Sequence, residues 1–215
     1  MEVKVSCMPN HAGVRDRKKA ATRQMISNVA TRLFIEQGFE NVSVDDIARE
    51  ADVARKTVFN YFPRKEDLFF DREEEALALV RETLAACGKQ SPLRAFQTLM
   101  RTLVARQHPM FKITQRPVRF WRTVTESPAL TARARELQVT LADELAGMLA
   151  EAVDRPHDDP CARLAAAMLM ATLVVAYGEA LRAFREKEKP KTALMRVMKR
   201  GFAGVDAALA GTPYV

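Results

Sequence analysis

Between Arg55 and Lys65 the chain reads RKTVFNYFPRK, a run of cationic, amide, hydroxyl and aromatic side chains. Residues of these types can grip an anion and read a hydrogen-bonding edge. If Val58 and Phe62, spaced i and i+4, anchor a helix to a core, an advance of about 100° per residue puts Lys56 and Asn60 opposite them. Thr57 and Phe59 then flank the outer face. An outward Asn can pair with an adenine edge, and Arg55, Lys56, Thr57 and Tyr61 can hold phosphates. Arg55 and Lys56 fall in the first turn, where backbone N–H groups already favour anions, so cations there cost helix stability unless an anion is near. The competing reading is a solvated helix with ordinary surface charge.

Three elements would have to position that helix. Ser43 is a good N-cap, and Asp46 three residues on completes a capping-box-like pair, so a helix should start at Val44. Its buried stripe is Val44, Ile47, Ala48 and Ala51, and Asp52-Val53-Ala54 breaks it. The second helix then runs from about Arg55 to Phe62, where Pro63 cannot continue the ladder. Ahead of both, a helix from near Asp16 to Gln37 shows a stripe of Ile26, Val29, Ala30, Leu33 and Phe34. Gly38 supplies a left-handed stop, and Phe39 can cover Phe34. The expected core of this three-helix unit is Val29, Leu33, Phe34, Phe39, Val42, Ile47, Val58 and Phe62. Arg15, Arg17, Lys18, Lys19 and Arg23, against the single acid Asp16, add a basic run at its start.

The stretch RKTVFNYFPRKEDLF, with a capped helix before it and the lead-in Gly38-Phe39-Glu40-Asn41-Val42-Ser43, resembles the DNA-binding domain of the tetracycline-repressor (TetR) family of bacterial regulators. The resemblance covers about Arg15 to Phe69. It implies that Thr57, Phe59, Asn60 and Tyr61 face a major groove and that Ser43, Tyr61 and Lys65 hold the DNA backbone. Two positions depart from the family: Phe59 stands where Tyr is commonest, and Lys56 replaces a frequent small residue. The candidate DNA-binding set is therefore Arg15, Lys18, Lys19, Ser43, Arg55, Lys56, Thr57, Phe59, Asn60, Tyr61 and Lys65. For the whole chain the resemblance implies a repressor released from DNA by a small molecule. The alternative function is an effector-binding or protein-interaction module that does not read DNA.

The chain has 215 residues with a net charge of +7, which fits a polyanion partner but fits many soluble enzymes as well. Abundant Ala, Leu, Arg and Glu with few glycines point to an all-α protein. Cys7, Cys87 and Cys161 are far apart, so neither a disulfide framework nor a zinc cluster is indicated, and a cytoplasmic location is the default. The longest uncharged run, Leu164 to Gly178, is short of the roughly 20 residues that span a bilayer, so no membrane is expected. His11, His108 and His157 are isolated, and no nucleophile, base or metal set is visible. Neither an enzyme nor a cofactor is expected.

About nine helices are expected: an arm over 1–14, the helix-turn-helix domain over 15–65, and a larger domain over 66–215. That larger domain opens with a fourth helix from Glu66 to about Cys87, close enough to the recognition helix that moving one moves the other. Ser91-Pro92, Ser127-Pro128 and Asp159-Pro160 each read as an N-cap followed by proline at the first helical position. A cavity among the fourth to eighth helices would be lined by Met100, Leu103, Phe120, Trp121, Val124, Leu137, Leu141, Met170, Leu173 and Tyr177 and would take an apolar or amphipathic molecule; the ordinary reading of Met and aromatic residues at such spacing is core filling. The stretches RFWRTVTESPALTARARELQ and DPCARLAAAMLMATLVVAYGEALR look like the domains of TetR-like relatives that sense acyl-CoA-like ligands; an aromatic effector is the other expectation. The last two helices, with Met168, Thr172, Val175, Val197, Met198, Phe202 and Val205, are the expected seam of a homodimer. Two-fold pairing would present two recognition helices to double-stranded DNA about 34 to 36 Å apart, hence a palindromic operator.

Overall fold

The computed structural model describes residues 11–71, 73–88 and 90–215, with side chains described from residue 15 and not at 73 and 74. Among them it is all-helical. The α-helices are α1 His11–Gln37, α2 Val44–Glu50, α3 Arg55–Tyr61, α4 Glu73–Ala85, α5 Pro92–Ala105, α6 Gln115–Glu126, α7 Pro128–Glu151, α8 Pro160–Arg185 and α9 Pro190–Ala208, with 3-10 turns at Glu66–Leu68 and Pro109–Phe111. Helix α1 already begins at His11, within the expected 1–14 arm; residues 1–10 lie outside those described.

The chain divides into two compact units, the first ending at Asp71. This moves the expected boundary from Lys65 to Asp71, for a physical reason. Residues 66–71 do not start the fourth helix; they turn inward onto α1. Ser27 on α1 donates its hydroxyl to the Leu68 carbonyl at 3.2 Å, and the Phe69 ring meets Phe34 edge-on at 5.7 Å. Leu68 and Phe69 are both buried. Glu66 and Asp67, which suit a helix N-terminus, therefore sit in a single 3-10 turn, and α4 begins only at Glu73.

Of the expected core of the first unit, all but Val29 are buried; Val29 is half-buried at the edge of the α1 stripe. Gly38 has φ +88°, the left-handed backbone that ends α1 without a Cβ penalty, and Phe39 then lies 4.9 Å from Phe34 between ring centroids.

In the second unit α8 packs along α9 and α7, with Leu149, Ala162, Ala165, Leu169, Ala176, Leu194, Met198 and Phe202 in one core. All three Xaa-Pro caps form: Ser91, Ser127 and Asp159 accept backbone N–H bonds from α5, α7 and α8 respectively. The chain end is tied into this core. The Tyr214 carbonyl accepts from the Ser91 hydroxyl at 2.7 Å and from the Leu93 N–H at 3.3 Å, and its ring is buried.

The expected dimer residues need correction. Met198, Phe202 and Val205 are fully buried within one chain, because the most apolar stripe of α9 turns toward the unit's own core. Thr172 is taken up by α9, where a Cβ on Gly201 would collide with its side chain. Met168 and Val197 are half-buried against that core. Only Val175, 56% exposed, faces outward, with Leu164 and Val174 each at 49%. Ala167, Ala171 and Gly178 are exposed on the same stripe of α8.

Candidate nucleic-acid interface

The α2–α3 pair is built by caps. Ser43 and Asp46 form the full box: the Ser43 hydroxyl accepts the Asp46 N–H at 3.1 Å and donates to the Asp46 carboxylate at 2.6 Å, while the Ser43 N–H donates to that carboxylate at 3.0 Å. These bonds hold the Asp46 carboxyl below its ordinary pKa, the Ser43 hydroxyl first among causes. Asp52 at φ +52° makes the corner, and α3 starts at Arg55 with Ala54 as an N-cap that offers no side-chain bond.

The phase of α3 is the one its spacing demands. Val58 and Phe62 are buried, each 1% exposed, whereas Arg55, Lys56 and Asn60 are exposed and Phe59 is 41% exposed. Thr57 and Tyr61 are half-buried at the flanks. Arg15, Lys18 and Lys19 are exposed on α1. This face combines a cation, an amide and an aromatic ring on a rigid rod, chemistry that can meet base edges and phosphates.

Two candidates have occupations inside the unit. Arg55 donates to the Asp45 carboxylate at 2.8 Å and its guanidinium lies 5.5 Å from the Phe59 centroid, so the anion that offsets this first-turn cation comes from α2. Lys65 is half-buried: its ammonium donates to the Phe39 carbonyl at 2.6 Å and sits 4.2 Å from the Phe39 ring centroid. Burial pushes its pKa down, with Glu40 and Glu66 opposing. In this arrangement Lys65 ties the segment after α3 to the α1–α2 loop.

Arg23 stands outside the candidate DNA-binding set, and the structure gives it an occupation that the sequence did not suggest. It belongs to the basic run by position, yet its Nε donates to Asp71 Oδ1 at 2.5 Å and its Nη1 to the Tyr61 carbonyl at 2.8 Å. The guanidinium also lies 4.4 Å from the Phe62 centroid. The Asp71 side chain is 4% exposed. A cation at the C-terminal carbonyls of α3 suits the helix dipole, and the buried carboxylate keeps it there.

In the second unit the ten candidate ligand residues differ in burial. Met100 and Leu103 are in the core, Val124 and Leu137 are buried, and Phe120, Trp121, Leu141, Met170, Leu173 and Tyr177 are half-buried. Trp121 on α6 reaches Tyr177 on α8 at 6.0 Å between centroids, and Phe120 lies edge-on to Trp121 at 5.6 Å. Burial raises the Tyr177 phenol pKa, a hydrogen bond with Trp121 working against it.

A capped helix, a tight corner, a short outward-facing second helix and a supporting α1 define a helix-turn-helix protein. Residues 26–71 match the family described as bacterial regulatory proteins, tetR family, and the match ends at the same residue as the first compact unit. The N-terminal unit is thus similar to tetR-family regulators over that stretch. A 58-residue stretch is 48% identical to a Mycobacterium tuberculosis protein provisionally named the mycofactocin biosynthesis transcriptional regulator MftR, covering 27% of this chain and 29% of that protein. The chain spans 29% and 44% of two curated relatives it matches. Among solved structures, NalD of Pseudomonas aeruginosa, described as the secondary repressor of the MexAB-OprM multidrug efflux pump, superposes with TM-score 0.56 at 23% identity over 86% of this chain and 96% of that one. Thermus thermophilus FadR, a repressor in complex with lauroyl-CoA, gives 0.53 at 22% identity over 85% and 94%. At such identities these structures establish the fold, an all-helical chain with an N-terminal helix-turn-helix.

Proposed function

We propose that this protein is a DNA-binding transcriptional regulator acting in the cytoplasm as a homodimer, and a repressor that a small molecule releases from its operator. The observation that carries this is the orientation of α3, with Lys56 and Asn60 outward and Val58 and Phe62 inward. In this reading Asn60 reads a base edge, Lys56, Thr57 and Tyr61 position the helix, and Arg15, Lys18 and Lys19 hold phosphates. Lys65 and Arg55 act mainly by fixing the unit.

The second chain is drawn to α8. This helix is apolar and long enough to cross a membrane by length and composition, yet only 28% of its most apolar stretch is buried within the chain. A second copy over Leu164, Val174 and Val175 would cover that face, and small neighbours permit close approach. Two-fold pairing favours a palindromic operator.

The effector is an apolar or amphipathic molecule, acyl-CoA-like or aromatic, held near Trp121 and Tyr177. It acts only through different affinities for the DNA-ready and DNA-released arrangements, and a tenfold loss of DNA affinity needs a coupling of about 1.4 kcal/mol. No turnover of that molecule is part of the proposal. Gel shifts with promoter fragments at several salt concentrations test the reading. Sequence-selective retention that survives added salt supports it; equal retention of every fragment contradicts it.

A further inference from the structure

A strongly cationic groove in the second unit has no part in the DNA reading. It has a volume of about 720 Å³ and is lined by Arg101 on α5 with Lys191, Met195, Arg196, Met198 and Lys199 at the start of α9. Four of these carry positive charge, and no carboxylate lines it. Met198 is fully buried beneath and Met195 is half-buried, so with the methylene stems of the cations the base of the groove is apolar.

Arg101 is held from below. Its Nη2 donates to Gln97 Oε1 at 3.2 Å, and its guanidinium lies 5.6 Å from the Phe202 centroid. Gln97 is itself buried and donates its Nε2 to Asp206 Oδ1 at 2.7 Å. A guanidinium fixed this way loses little freedom when it meets an anion. Lys199 turns away from α8: Gly201 is the position of α9 that meets Thr172 of α8, and Lys199, two residues earlier, lies about 200° round the helix. Arg196 lies within electrostatic reach of Glu179 on α8.

We propose that this groove binds an amphipathic anion, a carboxylate or phosphate carried on a short alkyl or aryl body. Four basic side chains around one opening give a positive potential, that of Arg196 partly offset by Glu179, which an anionic head relieves, while the apolar base favours a hydrocarbon body over a bare ion. The volume is that of a small-molecule site. This site is separate from the Trp121–Tyr177 region and does not depend on DNA binding.

The test is isothermal titration of the full chain with decyl phosphate, inorganic phosphate and decyltrimethylammonium, each below its aggregation threshold. Decyl phosphate should bind saturably, one per chain. Its affinity should fall about tenfold or more in the Arg101→Gln/Lys199→Gln chain, as lost charge-assisted contacts require. Inorganic phosphate should bind at least about tenfold more weakly than decyl phosphate, and the cation should not bind. Lys199→Gln alone should show part of the loss, and thermal melts should show both variants folded. A Tyr177→Phe chain should bind decyl phosphate as the wild type does. Unchanged affinity in the double variant, loss in Tyr177→Phe, equal binding of the two phosphates, or no saturable binding would each overturn the proposal.

Discussion

Asn60 on α3 and Arg23 on α1, which binds the end of α3, have different jobs. Asn60 is exposed with its amide available to an incoming partner, so Asn60→Ala should cost about 1 to 3 kcal/mol and relax preference at one operator position. Fluorescence anisotropy on duplexes varied one base at a time reads this directly; uniform weakening would remove Asn60 from base reading. Arg23 instead grips the end of α3 through the Tyr61 carbonyl and Asp71. Arg23→Ala should therefore weaken DNA binding while leaving its salt dependence unchanged, whereas Lys19→Ala should flatten the slope by about one counterion. The phase of α3 was legible because Val58 and Phe62 are four residues apart on one helix. The contacts of Arg23 were not, because Tyr61 and Asp71 lie far along the chain and nothing near Arg23 distinguishes it from the exposed cations around it.

Among the elements, those with a local stop or start signal fell where their residues put them. The Ser43–Asp46 box, the Gly38 stop and the three Xaa-Pro caps are all complete in the structure. The fourth helix was displaced because Glu66-Asp67 suits either a helix start or a 3-10 turn, and the choice was made by Leu68 and Phe69 burying on α1. The phase of α9 differs from the expectation for a related reason: its larger apolar stripe belongs to the chain's own core. The chain's end shows the same dependence on distant contacts. Burial and then Asp159 push the Tyr214 phenol up to about 12. Its folded pKa lies above the ordinary value of about 10, so its contribution is complete below about pH 10 and is lost as pH rises toward 12. In thermal melts taken from pH 9 upward, about two pH steps, Tyr214→Phe should remove part of the alkaline fall seen in the wild type. Parallel curves for the two would assign that fall to other groups.

For the whole molecule the decisive surface is the outward stripe of α8. Val175→Arg would set two cations against each other across a two-fold seam, and multi-angle light scattering should then report a single-chain mass where the wild type gives twice that. An unchanged dimer would put the seam elsewhere. In this account dimerisation and DNA reading are linked by symmetry alone: one chain offers one short α3, and a second copy supplies the other half-site.

Selection of bound duplexes from a random pool, run in parallel with the wild type and Asn60→Ala, tests the central claim most directly. The wild type should enrich a palindromic sequence with half-sites one helical turn apart, and Asn60→Ala should enrich the same sequence with one symmetry-related pair of positions degenerate. Recovery of no sequence above the starting pool by the wild type would contradict it.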